Sequence, residues 1–237
     1  GAQSVNEGQV LAFRVTATDP DANIPALFAL NLPTNAVFTD SLNGAGSIIF
    51  SPDFTQSGAY SVGIVASDGT LADTGTVSIT VNQVNVAPVL TNIGAQAVPE
   101  GQTLNLRVSA TDPDGTIPLL FALNVPANAT FADSLNGAGG FIFTPNFTQQ
   151  GVYNVGFVAT DGGLSDTLFV QVTVTATNLA PVVTVPGPQS VNEGQTLAFS
   201  VSSTDPDGST PTSFAINLPA NAVFTDSTNG RGSLIFN

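Results

Sequence analysis

Short runs in which apolar and polar residues alternate recur along this chain, and they set its architecture before any residue is given a role. In "LAFRVTAT" the residues Leu11, Phe13, Val15 and Ala17 alternate with Ala12, Arg14, Thr16 and Thr18, the period-2 signature of a strand with one buried face. Tyr60, Val62, Ile64 and Ala66 repeat it in "YSVGIVA", and Val77, Ile79 and Val81 in "VSITV". No stretch sustains a helical period. Turn signals such as "DPDG", "LPTN", "LNGAG", "SPDF" and "SDGT" separate the runs. Several short strands punctuated in this way within about 90 residues predict an antiparallel β-sandwich. Asn43-Gly44 reads as a tight hairpin, because both residues tolerate positive φ.

The pattern is written repeatedly. Asp19, Asp112 and Asp205 stand at a constant offset of 93 residues, as do Glu7, Glu100 and Glu193, and Asn43, Asn136 and Asn229. That period exceeds the roughly 20–50 residues of a solenoid unit and matches an independent domain. The expected units are therefore 1–86, 87–179 and 180–237, joined by the short linkers "NQVNVAPVL" and "TATNLAPVV", in which Pro88 and Pro181 cannot donate a ladder hydrogen bond. The third repeat is expected to be incomplete, since nothing after Phe236 corresponds to Tyr60, Val62, Ile64, Val77, Ile79 and Val81. Gly1 aligns with Gly94 and Gly187 inside the repeat, so a window on a longer array is expected at both ends, the alternative being strands donated by another chain.

Composition removes whole classes of function. Only 8% of residues are charged, the net charge is −14, and the sole basic residues are Arg14, Arg107 and Arg231. Nucleic acid and anionic membrane surfaces need clustered positive charge, which is missing. No apolar run approaches the roughly 20 residues of a membrane span, so no insertion is expected in this segment. Gly1 does not begin a secretory signal, so export is expected to be directed from outside these residues. Without Cys, His or Lys, disulfides, thiolate zinc sites, the usual catalytic bases and Lys-Asn isopeptide staples are all excluded. A carboxylate pair remains, but a small sandwich repeated without insertions offers no cleft for it, so no enzymatic activity is expected.

At this point the residues become recognisable. "APVL…VPEGQTL…VSATDPDG…YNVGFVATDGGLSDTLFVQVTV" resembles the cadherin-like and immunoglobulin-like repeats of large bacterial surface proteins, over nearly the whole chain. The resemblance implies seven-stranded sandwiches in extracellular arrays, with Ca2+ at the junctions. Carried over by position, the first junction would use Glu7, Asn85, Asp112, Asp114 and Asp161, and the second Glu100, Asn178, Asp205 and Asp207. Asp19, Asp21 and Asp68 would face a preceding domain. The chain departs from the cadherin pattern in lacking Asp-Arg-Glu before the Tyr strand, with only Asp53 nearby and Asn146 in its place in repeat two, and in lacking the paired Asn-Asp of the linker. Fewer carboxylates imply fewer ions per junction.

The residues themselves offer a second reading. "DPDG" alone is a type I turn, with Asp, Pro and Gly each favoured for backbone reasons. In a sandwich of standard order, however, Asp19, Asp21 and Asp68 share one end, where like charges repel unless a hard cation takes their oxygens. Asp40, Asp133 and Asp226 read as turn caps, and Tyr60 and Tyr153 as core. Two sequons, Asn128-Ala-Thr and Asn146-Phe-Thr, permit glycosylation. The expected function is a spacer or stalk in an extracellular surface protein or adhesin, whose partners are its own neighbouring repeats. The alternatives are like chains packed laterally in a filament or surface layer, or a carbohydrate- or matrix-binding module. The latter is disfavoured by the absence of Trp and by Phe residues expected to point mostly inward.

Overall fold

The computed structural model describes residues 1–237 and contains strands and turns but no helix. The first repeat builds β1 (Gln3–Asn6), β2 (Leu11–Thr16), β3 (Ala26–Leu30), β4 (Ala36–Asp40), β5 (Ala45–Phe50), β6 (Gly58–Ser67) and β7 (Ala72–Asn82). They form two facing sheets, β1-β7-β6-β3 and β2-β5-β4. All pairs are antiparallel except β1 with β7, which run parallel from Gln3↔Ile79 to Asn6↔Asn82.

The second repeat shows where that parallel pair comes from. Its strands are β8 (Val89–Leu90), β9 (Gln96–Pro99), β10 (Leu104–Thr111), β11 (Leu119–Leu123), β12 (Ala129–Asp133), β13 (Ala138–Phe143), β14 (Gly151–Thr160) and β15 (Ser165–Thr175). The chain enters on one sheet as β8, antiparallel to β10, then crosses over and lies parallel to β15 as β9. The two sheets are β12-β13-β10-β8 and β11-β14-β15-β9. Residues 182–236 form one sheet, β16-β17-β19-β18, from β16 (Val182–Thr184), β17 (Leu197–Thr204), β18 (Ala222–Asp226) and β19 (Arg231–Phe236).

Each of the first two repeats buries its own core. Ile48, Phe50, Val62 and Ile79 anchor the first, and Val108, Phe141, Phe143, Val155, Phe157 and Val172 the second, with no buried residue shared. Tyr60 and Tyr153 belong to these cores as expected. Their rings meet Phe50 and Phe143 edge-on, at 5.6 and 5.5 Å between centroids. Their hydroxyls donate back to the carbonyls of Gln56 (2.8 Å) and Gln149 (2.9 Å), which satisfies the polar tip of a mostly apolar side chain.

One expectation needs correction. The hairpin uses positive φ at Leu42 (57°) and Gly44 (75°), not at Asn43. Asp40 explains the choice: one carboxylate oxygen accepts Leu42 N at 2.9 Å, and the other accepts Leu27 N of the edge strand β3 at 3.0 Å. Asp133 does the same for Leu135 and Leu120. These aspartates thus cap both a turn and a sheet edge. Gly44 is required there, since a Cβ would stand 2.9 Å from the Ala17 carbonyl oxygen. The Phe residues do mostly point inward, as expected, with Phe28, Phe121, Phe169 and Phe214 as the exposed exceptions. Phe169 lies across Gly156, where a Cβ would come within 2.9 Å of its ring.

Candidate metal centre

The Asp-Pro-Asp-Gly loops are turns, and more than turns. Gly115 N donates to the Asp112 carbonyl (3.2 Å), Asp114 N donates to Asp112 Oδ1 (3.0 Å), and Gly115 takes a φ of 85°. This chemistry employs one carboxylate oxygen of Asp112. The other, Oδ2, is buried without a partner. Asp114 spends Oδ1 on Thr116 N (3.2 Å), but its Oδ2 leaves the loop and accepts Val86 N of the linker at 3.0 Å.

The linker gathers acids from both sides. Val84 N donates to Glu7 Oε2 (2.9 Å), Asn85 Nδ2 to Asp161 Oδ2 (2.9 Å) and Val86 N to Asp114 Oδ2. Two residues of extended chain span at most about 7 Å, so consecutive linker residues bring the base of the first repeat to the top of the second. The loop abuts that base: a Cβ on Gly115 would lie 4.0 Å from Thr55 Cγ2. Glu7, only 2% exposed, keeps its Oε1 buried and unpartnered.

The second junction repeats the scheme with differences. Thr177 N donates to Glu100 Oε2 (3.0 Å) and Leu179 N to Asp207 Oδ2 (2.8 Å), while Asp205 Oδ1 accepts Asp207 N. Gln150 N fills Glu100 Oε1 at 2.8 Å, and Asn178 Nδ2 turns to the Leu179 carbonyl. A polar cleft of about 470 Å³ lies here, lined by Glu100, Thr148, Asn178 and Asp207. At the free top of the first repeat Asp19, Asp21 and Asp68 line one cleft of about 390 Å³ together with Asp73. Asp53 takes no part in a junction. It accepts Thr55 N and Thr55 Oγ1, as Asn146 does for Thr148.

The charges reflect this wiring. Burial pushes the Asp112 carboxyl up, with repulsion from Asp114 and Asp161 adding to it. The Val86 amide holds Asp114 down at about 2, and the Leu179 amide does the same for Asp207. Asp161 is lowered by the amides of Leu164 and Gly163, then by Asn85. Asp68 is lowered by the Leu71 amide, while Asp19 is raised by the hydrogen bond it shares with Asp21. A carboxyl depressed in the docked state lends stability that is complete above its ordinary value of 3.8 and lost as pH falls towards 2. In metal-free solution the Val86 and Leu179 amide resonances should therefore titrate with midpoints near 2, and a midpoint close to 4 would mean that these bonds do not form.

Nowhere do three acidic side chains gather closely enough to hold an ion among themselves. A cation at a junction would draw on amide and main-chain oxygens as well. The expected ligands Asn85 and Asp161 touch, and Glu7 and Asp114 share the linker. The linker N–H groups that organise them were not among the expected site residues, and the 93-residue offset marks their positions only once the partner acids are known.

A model of the bacterial Ig domain family matches residues 1–80 and 85–173, more than half of the chain. Chitinase A of Pseudoalteromonas piscicida is 35% identical over 138 residues, covering 57% of this chain and 16% of its own length. Integrin beta-like protein E of Dictyostelium discoideum is 30% identical over 253 residues, covering 91% of this chain and 13% of its own. The chain thus spans less than a fifth of either relative. Among solved structures, protocadherin gamma B2 extracellular cadherin domains 1–5 align over 100% of this chain and 51% of theirs, at 18% identity and a TM-score of 0.46.

Proposed function

The chain belongs to the bacterial Ig domain family, and from that premise we propose that its repeats are non-catalytic spacers in the stalk of an extracellular surface protein or adhesin, with junctions stiffened by calcium. The observation that carries the reading is the linker hub, where Glu7 and Asp112 each bury a carboxylate oxygen without a partner. A buried, unpaired anionic oxygen is costly, and a hard cation taking 6–8 oxygens at about 2.3–2.6 Å relieves it. The donors fit such an ion, being carboxylate, amide and main-chain oxygens with no His or Cys to favour a softer metal. Glu7, Asn85, Asp112, Asp114 and Asp161 would hold it at the first junction, and Glu100, Asn178, Asp205 and Asp207 at the second. Asp19, Asp21 and Asp68 form the matching half-site for a further repeat.

Extracellular calcium modules bind at about 10⁻⁴ to 10⁻³ M. Because each of the first two repeats has its own core, calcium should lengthen and stiffen the array and leave β circular dichroism unchanged. Scattering-derived length in calcium against chelator tests this, with an Asp112→Ala/Asp114→Ala variant expected to mimic chelator at the first junction. Equal length in both conditions would sink the proposal.

A second reading, lateral packing of like chains, is favoured by the exposed row Leu119, Phe121, Leu123 and Phe169 on the outer face of β11-β14-β15, with Phe28 and Leu30 in register on β3. Chains of net charge −14 repel over about 8 Å at physiological salt. Self-association by this face should therefore rise more with calcium than with sodium at matched ionic strength. Indifference to the cation would mean that apolar contact alone drives it.

A further inference from the structure

We propose that Asn146 is a glycosylation site, its side-chain nitrogen taking a sugar from a donor activated by diphosphate, and that Asn128, the other sequon of the second repeat, is held out of reaction by the fold. Sequence treats the two alike, since Asn146-Phe-Thr and Asn128-Ala-Thr both satisfy the acceptor pattern. The structure separates them. Asn146 and Thr148 are both exposed, on the loop between β13 and β14. Asn146 Oδ1 accepts the Thr148 amide at 3.1 Å and the Thr148 hydroxyl at 3.0 Å, which closes the acceptor and its hydroxyl into one turn and leaves Nδ2 free. Phe147 anchors that turn: its ring lies against Gly101, where a Cβ would come within 2.7 Å of it. Asn128 is wired differently. Its Nδ2 donates to Gln149 Oε1 at 2.7 Å, and Thr130 lies in β12 opposite Ile142, without a bond to the Asn128 carboxamide.

A carboxamide nitrogen is a weak nucleophile, because its lone pair is shared with the carbonyl. Two donors on Oδ1 stabilise the anion that forms when an Nδ2 proton leaves, and so ease its loss. In the transfer Nδ2 bonds to the anomeric carbon and the bond from that carbon to the diphosphate oxygen breaks. Diphosphate departs with the electron pair, and the Nδ2 proton passes to a carboxylate of the transferase. Nucleotide-linked and lipid-linked sugars share this chemistry. Attack by Asn128 must first release its bond to Gln149, which alone slows it by about two- to tenfold. The first repeat supplies a control. Asp53 stands at the position of Asn146 and accepts Thr55 N at 3.0 Å and Thr55 Oγ1 at 2.8 Å, the same turn without a nucleophilic nitrogen. Asn146→Asp should therefore keep the turn and remove the acceptor. Asp53→Asn should make the first repeat an acceptor, at the cost of one long contact with Asn35 Nδ2 of 3.3 Å.

The test exposes the folded chain to two donors in separate arms. One arm contains UDP-glucose and a soluble asparagine glucosyltransferase, the other a polyprenyl-diphosphate-linked chitobiose and a membrane oligosaccharyltransferase. Modified residues are located by peptide mass mapping over a time course. The expected result is addition at Asn146 in at least one arm, which identifies the source of the sugar, with Asn128 slower in the same sample. Short peptides carrying either sequon, free of the fold, should react at similar rates. Asn146→Asp and Thr148→Val should abolish the addition at Asn146, Thr148→Ser should retain it, and Asp53→Asn should add a second modified position in the first repeat. Addition to Asn128 of the folded chain as fast as to Asn146, or none at Asn146 in either arm, would overturn the proposal.

Discussion

Phe143→Ala should cost the second repeat about 3–5 kcal/mol, a large part of the 5–15 kcal/mol that holds a domain folded. The side chain is fully buried, pairs across the sheet with Leu104 and Ala129, and meets the Tyr153 ring at 5.5 Å and the Phe141 ring at 6.4 Å. Truncation leaves a cavity that strands held by two ladders cannot collapse to fill. Tyr153 would also lose the partner that seats its ring. The first repeat, whose core is built around Phe50 without residues from the second, should keep its unfolding midpoint. Urea unfolding followed repeat by repeat would then show one transition displaced and one unmoved. A common displacement of both would show that the repeats unfold as one unit.

Much of this was legible in the sequence, for a physical reason. A strand with one buried face must alternate, so Leu11, Phe13 and Val15, or Tyr60, Val62 and Ile64, announce themselves, and the 93-residue offset multiplies each observation. The same reasoning faltered where a side chain acts across the fold. Asp40 reads locally as a turn cap, and it is one, but its second oxygen holds the amide of Leu27 thirteen residues earlier in the chain. Leu42 accepts a left-handed conformation because Asp40, two residues earlier, bonds its amide, a local turn contact that overrides the preference of Asn43 for that region. Phe28 and Phe121 sit on edge strands whose outer face carries apolar side chains, so alternation locates the strand without saying that its second face is dry.

The candidate site divides in the same way. Acidic residues in recurring loops are visible in a sequence, and Asn85 and Asp161, paired on position alone, do touch. Main-chain donors carry no letter. The amides of Val84, Val86, Thr177 and Leu179 decide which carboxylate oxygens are satisfied and which are left over, and only the fold assigns them. The difference between Glu7 and Glu100, identical in their "EGQ" contexts, therefore lies outside what local pattern can show.

Glu100→Ala tests that assignment most directly. Removing the carboxylate strands the amides of Gln150 and Thr177 in a buried site, at about 1–3 kcal/mol each, so a loss of about 2–5 kcal/mol from the second repeat is expected. Glu100→Gln retains one oxygen acceptor and should lose less. Glu7→Ala should cost less still, because it strands only the Val84 amide and at the same time removes a buried oxygen that had no partner. The ordering Glu100→Ala, Glu100→Gln, Glu7→Ala can be read from urea midpoints in chelator, where no cation compensates the first junction. Calcium should then widen the gap between Glu7→Ala and the unaltered chain, since only the latter can use the ion. Equal losses at Glu7 and Glu100 in chelator would mean that both glutamates are equally satisfied and that the two junctions share one design.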